Sequence, residues 1–228
     1  MPRLETLQNG TIPLMAPSRI PLWLKIGWTL WIAVWAPLYW VQYGPRNYLW
    51  FCDLGNFMIT AALWLESPLI FSWQACSVLL VQILFTVDLV GRALLRVHLI
   101  GGTEYMFNDD GSNIPMGMRL LSLFHVATPP LLIWALRKLG YDRRGLLCQI
   151  ATAWIVLPIC WLGWNETVNL NWVWGPFNRP QHVMRPWLFL IVCMLGYPVV
   201  LYLPTHLALS KLFGRTLRAG DSTSKIGS

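Results

Sequence analysis

YLWFCDLGNFMITAALWLESPLIFSWQACSVLLVQILFTVDLV, residues 48–90, decides the fold. Two apolar runs flank Glu66-Ser67-Pro68. Proline lacks an N–H and restricts the residue before it, so the chain is expected to break there. A single unbroken helix over this stretch would reach ~60 Å, about twice the hydrocarbon thickness of a bilayer. The stretch therefore predicts a tight helical hairpin over 48–65 and 69–90, each arm long enough to span.

Working outward, four more segments have the same character, at 22–43, 119–136, 146–164 and 186–206. The expected architecture is an all-α polytopic membrane bundle of about six spans, a single domain over 1–213, followed by a basic, disordered tail over 214–228. Composition agrees. The 228 residues are 56% hydrophobic and only 12% charged, with a mean hydropathy of +0.50, whereas soluble domains carry about 25% charged residues. The 15 tryptophans suit membrane–water interfaces, where an indole buries its ring and wets its N–H. The opening residues lack the short apolar core of a cleavable signal, so the first span is expected to act as its own insertion signal.

The net charge of +7 lies in short clusters beside apolar segments rather than in one stripe. It argues for lipid headgroups and against nucleic acid. One set comprises Arg3, Arg19, Lys25, Arg137, Lys138, Arg143, Arg144, Lys211, Arg215, Arg218 and Lys225. The smaller opposite set is Arg46, Arg92, Arg96, Arg119, Arg179 and Arg185. The positive-inside rule then places both termini in the cytoplasm of a cell inner (plasma) membrane. The 5 cysteines form no CxxC pair, and the histidines show no HxxxH or HExxH spacing. Neither a disulfide framework nor a metal site is expected, and no cofactor is indicated.

Ionisable groups at membrane depth are costly and need a reason. On this topology Asp53, Asp88 and His125 lie on three helices in the outer third of the bilayer. Asn56 follows Asp53 by one helical turn, and Ser122, His125 and Thr128 form a polar stripe ahead of Pro129-Pro130, which is expected to kink its helix. A carboxylate and an imidazole in low dielectric suit general acid–base chemistry. The expected catalytic set is Asp53 as acid or base, His125 as its partner, and Asp88 or Asn56 as the orienting group. Glu104, Asn169, Asn171 and Trp174, in the long loops 91–118 and 165–185, are expected to cover and bind substrate. The plainer alternative is that Asp88 pairs with Arg92 on its own helix, Asp53 anchors a helix end, and His125 bonds Ser122 or a carbonyl. His206, in YLPTHL, falls near the opposite face, and Gly196 and Pro198 predict a packing notch and a kink.

The segments LWFCDLGNF (49–57), TEYMFN (103–108), LSLFH (121–125), KLGYDRRG (138–145), NLNWVWG (169–175) and YLPTHL (202–207) resemble an uncharacterised bacterial family of multi-pass proteins described only as membrane-associated. The resemblance runs from Trp28 to Phe213 and implies bacterial origin but no activity. A fainter likeness, in size, span count and buried Asp and His, is to six-span lipid hydrolases and acyltransferases and to membrane terpene cyclases, although no nucleophile motif is visible. Three functions are therefore weighed. The first is an enzyme acting on a lipid or isoprenoid, and the second a non-catalytic subunit or assembly factor with protein partners in a larger membrane complex. A proton-coupled transporter ranks third, because no inverted repeat is present.

Overall fold

The computed structural model describes residues 19–213, the side chain of Asn178 excepted. Arg3, Arg215, Arg218, Lys225 and the expected tail lie outside the described residues. Those described are helical and contain no strand. The helices are α1 (Leu22–Tyr43), α2 (Phe51–Leu65), α3 (Pro68–Leu95), α4 (Glu104–Phe107), α5 (Met116–Leu121), α6 (Phe124–Leu139), α7 (Gly145–Gly163), α8 (Pro186–Tyr197) and α9 (Leu203–Phe213).

Four helical runs are long and apolar enough to cross a membrane: Pro68–Leu95, Met116–Leu139, Gly145–Gly163 and Pro186–Phe213. α1 has 22 residues, but Lys25 and a succession of tryptophans lower its hydropathy. α2 has only 15 residues. It is preceded by a 3₁₀ turn, Pro45–Leu49, which begins after Gly44 at φ +78°. The surface is apolar and the interior carries polar groups. Trp23, Val41, Leu94 and Leu162 are exposed, whereas Asp53, Asn56, Gln82, Asp88 and Gln149 are buried.

The α2–α3 turn forms where Glu66-Ser67-Pro68 predicts it. Glu66 takes the left-handed conformation that ends α2, and the Ser67 hydroxyl accepts the Ile70 N–H at 3.3 Å. Pro68 opens α3 at a position whose N–H has no helical partner. The Glu66 carboxylate also takes the Arg19 and Ile20 N–H groups at 2.8 and 3.4 Å and the Lys25 ammonium at 2.7 Å. Lys25 is thus a buried ion-pair partner as well as a charge in the orientation count.

Ile20, Phe71, Leu139, Tyr141 and Leu209 share one apolar cluster, and the Tyr141 hydroxyl bonds both Cys76 Sγ at 3.1 Å and His206 Nδ1 at 2.7 Å. The start of α1, the α2–α3 turn, the α6–α7 turn and the end of α9 therefore lie together, at what we call the turn end. His206 is fixed there by Tyr141. The long loops gather at the opposite, loop end.

Two backbone features depart from expectation. The break ahead of α6 falls at Ser122-Leu123, and α6 runs through Pro129 and Pro130. In the last helical run Pro198 opens a π-turn, Pro198–Tyr202, where the carbonyls it frees re-register. A Cβ on Gly196 would meet nothing within 4 Å, so that glycine makes no packing notch. Gly145 does. A Cβ there would lie 2.7 Å from the backbone of Ser72 and Trp73, where α7 starts against α3.

Candidate functional site

Asp53 lies in the first turn of α2, where the helix dipole favours a carboxylate. It is 3% exposed. Asn47, from the preceding 3₁₀ turn, donates its amide to Asp53 Oδ2, and Cys52 Sγ lies 3.9 Å from Oδ1. The wall beside it is aromatic. Trp35 packs on Tyr39 at 4.7 Å between ring centroids, Tyr39 on Tyr43 at 5.1 Å, and Tyr48 edge-on to Phe57 at 5.3 Å. These rings exclude water and bring phenol hydroxyls to the carboxylate's neighbourhood.

His125 is not paired with Asp53. Its Nδ1 lies 2.7 Å from the Ser122 carbonyl, which only accepts, so Nδ1 must donate and Nε2 is the acceptor of the neutral ring. The imidazole stacks between Phe85, at 4.4 Å and 21°, and Phe124, at 3.9 Å and 27°. Ser122 is the link between the two sides, because its hydroxyl shares a 2.6 Å hydrogen bond with Tyr39. His125 meets the Ser122 carbonyl and Tyr39 the Ser122 hydroxyl, so the two share a residue without forming one hydrogen-bond chain to Asp53. Asn56, at 0% exposed, has neither amide atom hydrogen-bonded and does not orient Asp53.

Asp88 belongs to a different cluster. Its carboxylate accepts the Ile100 and Gly101 N–H groups at 2.7 and 3.2 Å and the Thr103 hydroxyl, and faces His98 Nδ1 at 3.4 Å. His98 Nε2 reaches Asp109 at 3.0 Å, and Arg92 holds Asp109 through two N–H groups at 2.6 and 3.2 Å. Arg92 thus pairs with Asp109 instead of Asp88. The Arg92 hydrogen bond, followed by that of His98, holds the Asp109 carboxyl down to about 2. For His98, burial pulls the imidazole down, but the Asp109 and Asp88 contacts outweigh it and raise its pKa. This network straps residues 98–109 to the end of α3. Glu104 serves the same loop by accepting the Gly102 N–H at 2.5 Å.

The second loop is also held by its own side chains. Asn169 accepts the Trp174 N–H at 2.8 Å and donates to the Gly175 carbonyl at 2.8 Å. Asn171 accepts the Phe51 N–H at 3.0 Å and donates to the Leu49 carbonyl at 2.7 Å, clamping the start of α2. Trp174 stacks on Trp161 at 5.7 Å, with its indole N–H on the Trp164 carbonyl at 3.1 Å. Of the residues expected to bind substrate, Glu104, Asn169, Asn171 and Trp174 are spent on loop structure in this conformation.

The residues that sequence reasoning did not single out are Tyr39 and Asn47. Asn47 precedes Asp53 by six positions within a Pro-Arg-Asn turn, a spacing that a compact turn brings back on itself. Tyr39 had no local signal. Among the described residues no three His, Cys, Asp or Glu groups converge to hold a metal ion. No family model, no characterised protein and no solved structure matches this chain.

What the arrangement offers chemically is a dry carboxylate with one amide donor, a neutral imidazole with an open acceptor nitrogen, and a phenol–hydroxyl pair between them.

Proposed function

We propose that this chain is a six-span protein of a cell inner (plasma) membrane with both termini cytoplasmic, and that Asp53 transfers protons to or from a lipid or isoprenoid at its outer side. The observation carrying the reading is the environment of Asp53: 3% exposed, held by Asn47, and walled by phenols. Placing both termini on one side agrees with the meeting of the start of α1 and the end of α9 at the turn end. α2, with 15 residues, is the shortest of the proposed spans and extends ~22 Å. The turn end also carries Arg137, Lys138, Arg143 and Arg144, as the positive-inside rule asks of a cytoplasmic face.

Lateral access supports a lipid substrate. A groove of about 400 Å³ opens between α1 and α5–α6, lined by Trp23, Gly27, Trp28 and Trp31 on one side and Leu120, Phe124 and Ala127 on the other. Phe124 packs on Trp35 at 5.9 Å, and Trp35 on Tyr39, so these rings lie between the groove and the Asp53 wall. In this reading Asp53 is the acid and Asn47 orients its carboxyl.

The test compares membrane lipids, by mass spectrometry, from cells expressing wild-type protein and Asp53→Asn at equal levels. A lipid or isoprenoid converted by the wild type and left unconverted by the variant is the expected result. Identical lipid profiles would remove the enzyme reading. A second reading, a non-catalytic subunit of a membrane complex, is favoured by the apolar residues exposed on the second loop, Val183 at 91% and Phe177 at 42%. A fixed companion protein in mild-detergent extracts is the result that would support it.

A further inference from the structure

Five buried polar atoms lie where α2, α3 and α6 meet, and none is hydrogen-bonded: both amide atoms of Asn56, both of Gln82, and the Thr128 hydroxyl. The three side chains are 0%, 1% and 0% exposed. A buried polar atom left unmet loses its hydration without compensation, so a group of them calls for a partner.

Helix register places Gln82 and Thr128 in one layer, with Asn56 about one turn nearer the turn end, where Gly55 meets Val78. α3 and α6 are antiparallel, with Phe85 against His125 toward the loop end and Cys76 against Tyr141 at the turn end. Gln82 is three residues from Phe85, and Thr128 three from His125. Both therefore sit one turn below that contact, on the facing sides of their helices. Below them Ile59, Leu79 and Leu131 belong to a single apolar cluster. Asn56, Gln82 and Thr128 are each one turn nearer the loop end than one of these residues, on the same helical stripes. On α3 and α6 the stripe that is apolar at Leu79 and Leu131 becomes polar at Gln82 and Thr128. Asp53 is one turn further on from Asn56.

The donor and acceptor inventory selects the partner. The three side chains offer two amide NH₂ groups, two amide carbonyls and a hydroxyl. Pro129 and Pro130 add acceptors, because the His125 and Val126 carbonyls lose their helical donors. A bare cation would leave the NH₂ groups unmet and an anion the carbonyls, and none of the three side chains carries a charge. We propose that Asn56, Gln82 and Thr128 form a binding site for a small neutral group that both donates and accepts hydrogen bonds, a water cluster or the hydroxyl of a neutral lipid. This inference rests on the packing of α2, α3 and α6 and does not require Asp53 to be catalytic.

The experiment is thermal unfolding of the full chain in detergent for Asn56→Leu, Gln82→Met, Thr128→Val and the Asn56→Leu/Gln82→Met double variant, with native mass spectrometry alongside. With a bound group, each single variant melts about 2–4 °C lower and the double variant lower still. A neutral-lipid mass carried by the wild type and lost in Gln82→Met identifies a lipid hydroxyl, whereas the same stability losses without lipid identify water. Singles that melt higher than wild type mean the atoms are truly unpartnered, and the site does not exist. A double variant restored to wild-type stability means the two amides bond only each other, which also overturns it. Because these readouts do not depend on turnover, Asp53→Asn can fail or succeed independently.

Discussion

Single side chains at the loop end hold backbone that helices alone leave unmet. Asn171 is the clearest case, since its amide serves the Phe51 N–H, the Leu49 carbonyl and, at 3.4 Å, Cys160 Sγ. It does so from a left-handed conformation with φ 50°, which Asn tolerates better than most residues. Asn171→Ala should cost about 2–4 kcal/mol, because two backbone groups at the α2 entrance lose their partner. Chemical or thermal unfolding of the variant checks this, and an unchanged midpoint would mean water replaces the amide. Asn169 and Asn171 read as polar loop residues in the sequence; only the folded loop shows them facing inward, at 1% and 4% exposed.

Between elements, the closest approach is that of α7 on α3 at Gly145. A Cβ 2.7 Å from the Ser72 carbonyl carbon and the Trp73 nitrogen meets backbone, which cannot turn aside as a side chain can. Gly145→Ala should therefore destabilise by ~1–3 kcal/mol. Gly27→Ala, where a Cβ meets nothing within 4 Å, should be neutral or stabilising by up to ~1 kcal/mol through helix propensity. Equal melting of the two variants would contradict this account of the α3–α7 contact. The strap over 98–109 makes a pH-dependent prediction. The raised pKa of His98 means its contribution is full below the ordinary value of ~6.5 and is lost as pH rises through the raised one. The depression of Asp109 to about 2 means its contribution is present above the ordinary value and lost as pH falls through about 2. The strap should hold tightest between about pH 4 and 6.5. Hydrogen exchange at amides 97–103, corrected for intrinsic rates, should accelerate above that window in the wild type. In His98→Gln the alkaline step should vanish, and its persistence would assign it to another group.

For the molecule as a whole, the proposed topology puts the α6–α7 turn and loop 165–185 on opposite sides of the membrane. An impermeant thiol reagent applied to intact cells should label Val183→Cys, 91% exposed on the second loop, and spare Lys138→Cys until the cells are opened. Both should be made in a background with the native cysteines replaced. Labelling of both from outside, or of Lys138→Cys alone, would reverse or break the six-span arrangement. The exposed apolar surface and the buried polar interior are the same preference seen from two sides. Lipid tolerates the apolar chains outside, while Asp53, Asp88 and the three amide and hydroxyl side chains must lie within the bundle.

The sequence alone determined where the long helices lie. Each 18- to 20-residue apolar run must satisfy its own backbone in lipid, and Glu66-Ser67-Pro68 must interrupt it. Even so, α3 runs to Leu95 and α2 begins at Phe51, since helix ends depend on capping partners supplied by other segments. Reading equal depth for Asp53, Asp88 and His125 leaves the rotation of each helix free. Tertiary packing turned Asp88 to its own loop and Asp53 to Asn47 and the tyrosines, whereas His125 took the local Ser122 carbonyl, the plainer of the two readings of its sequence. It also set Gln82 and Thr128 on the facing sides of α3 and α6, because facing is fixed by how helices pack and not by how far along each one a residue stands.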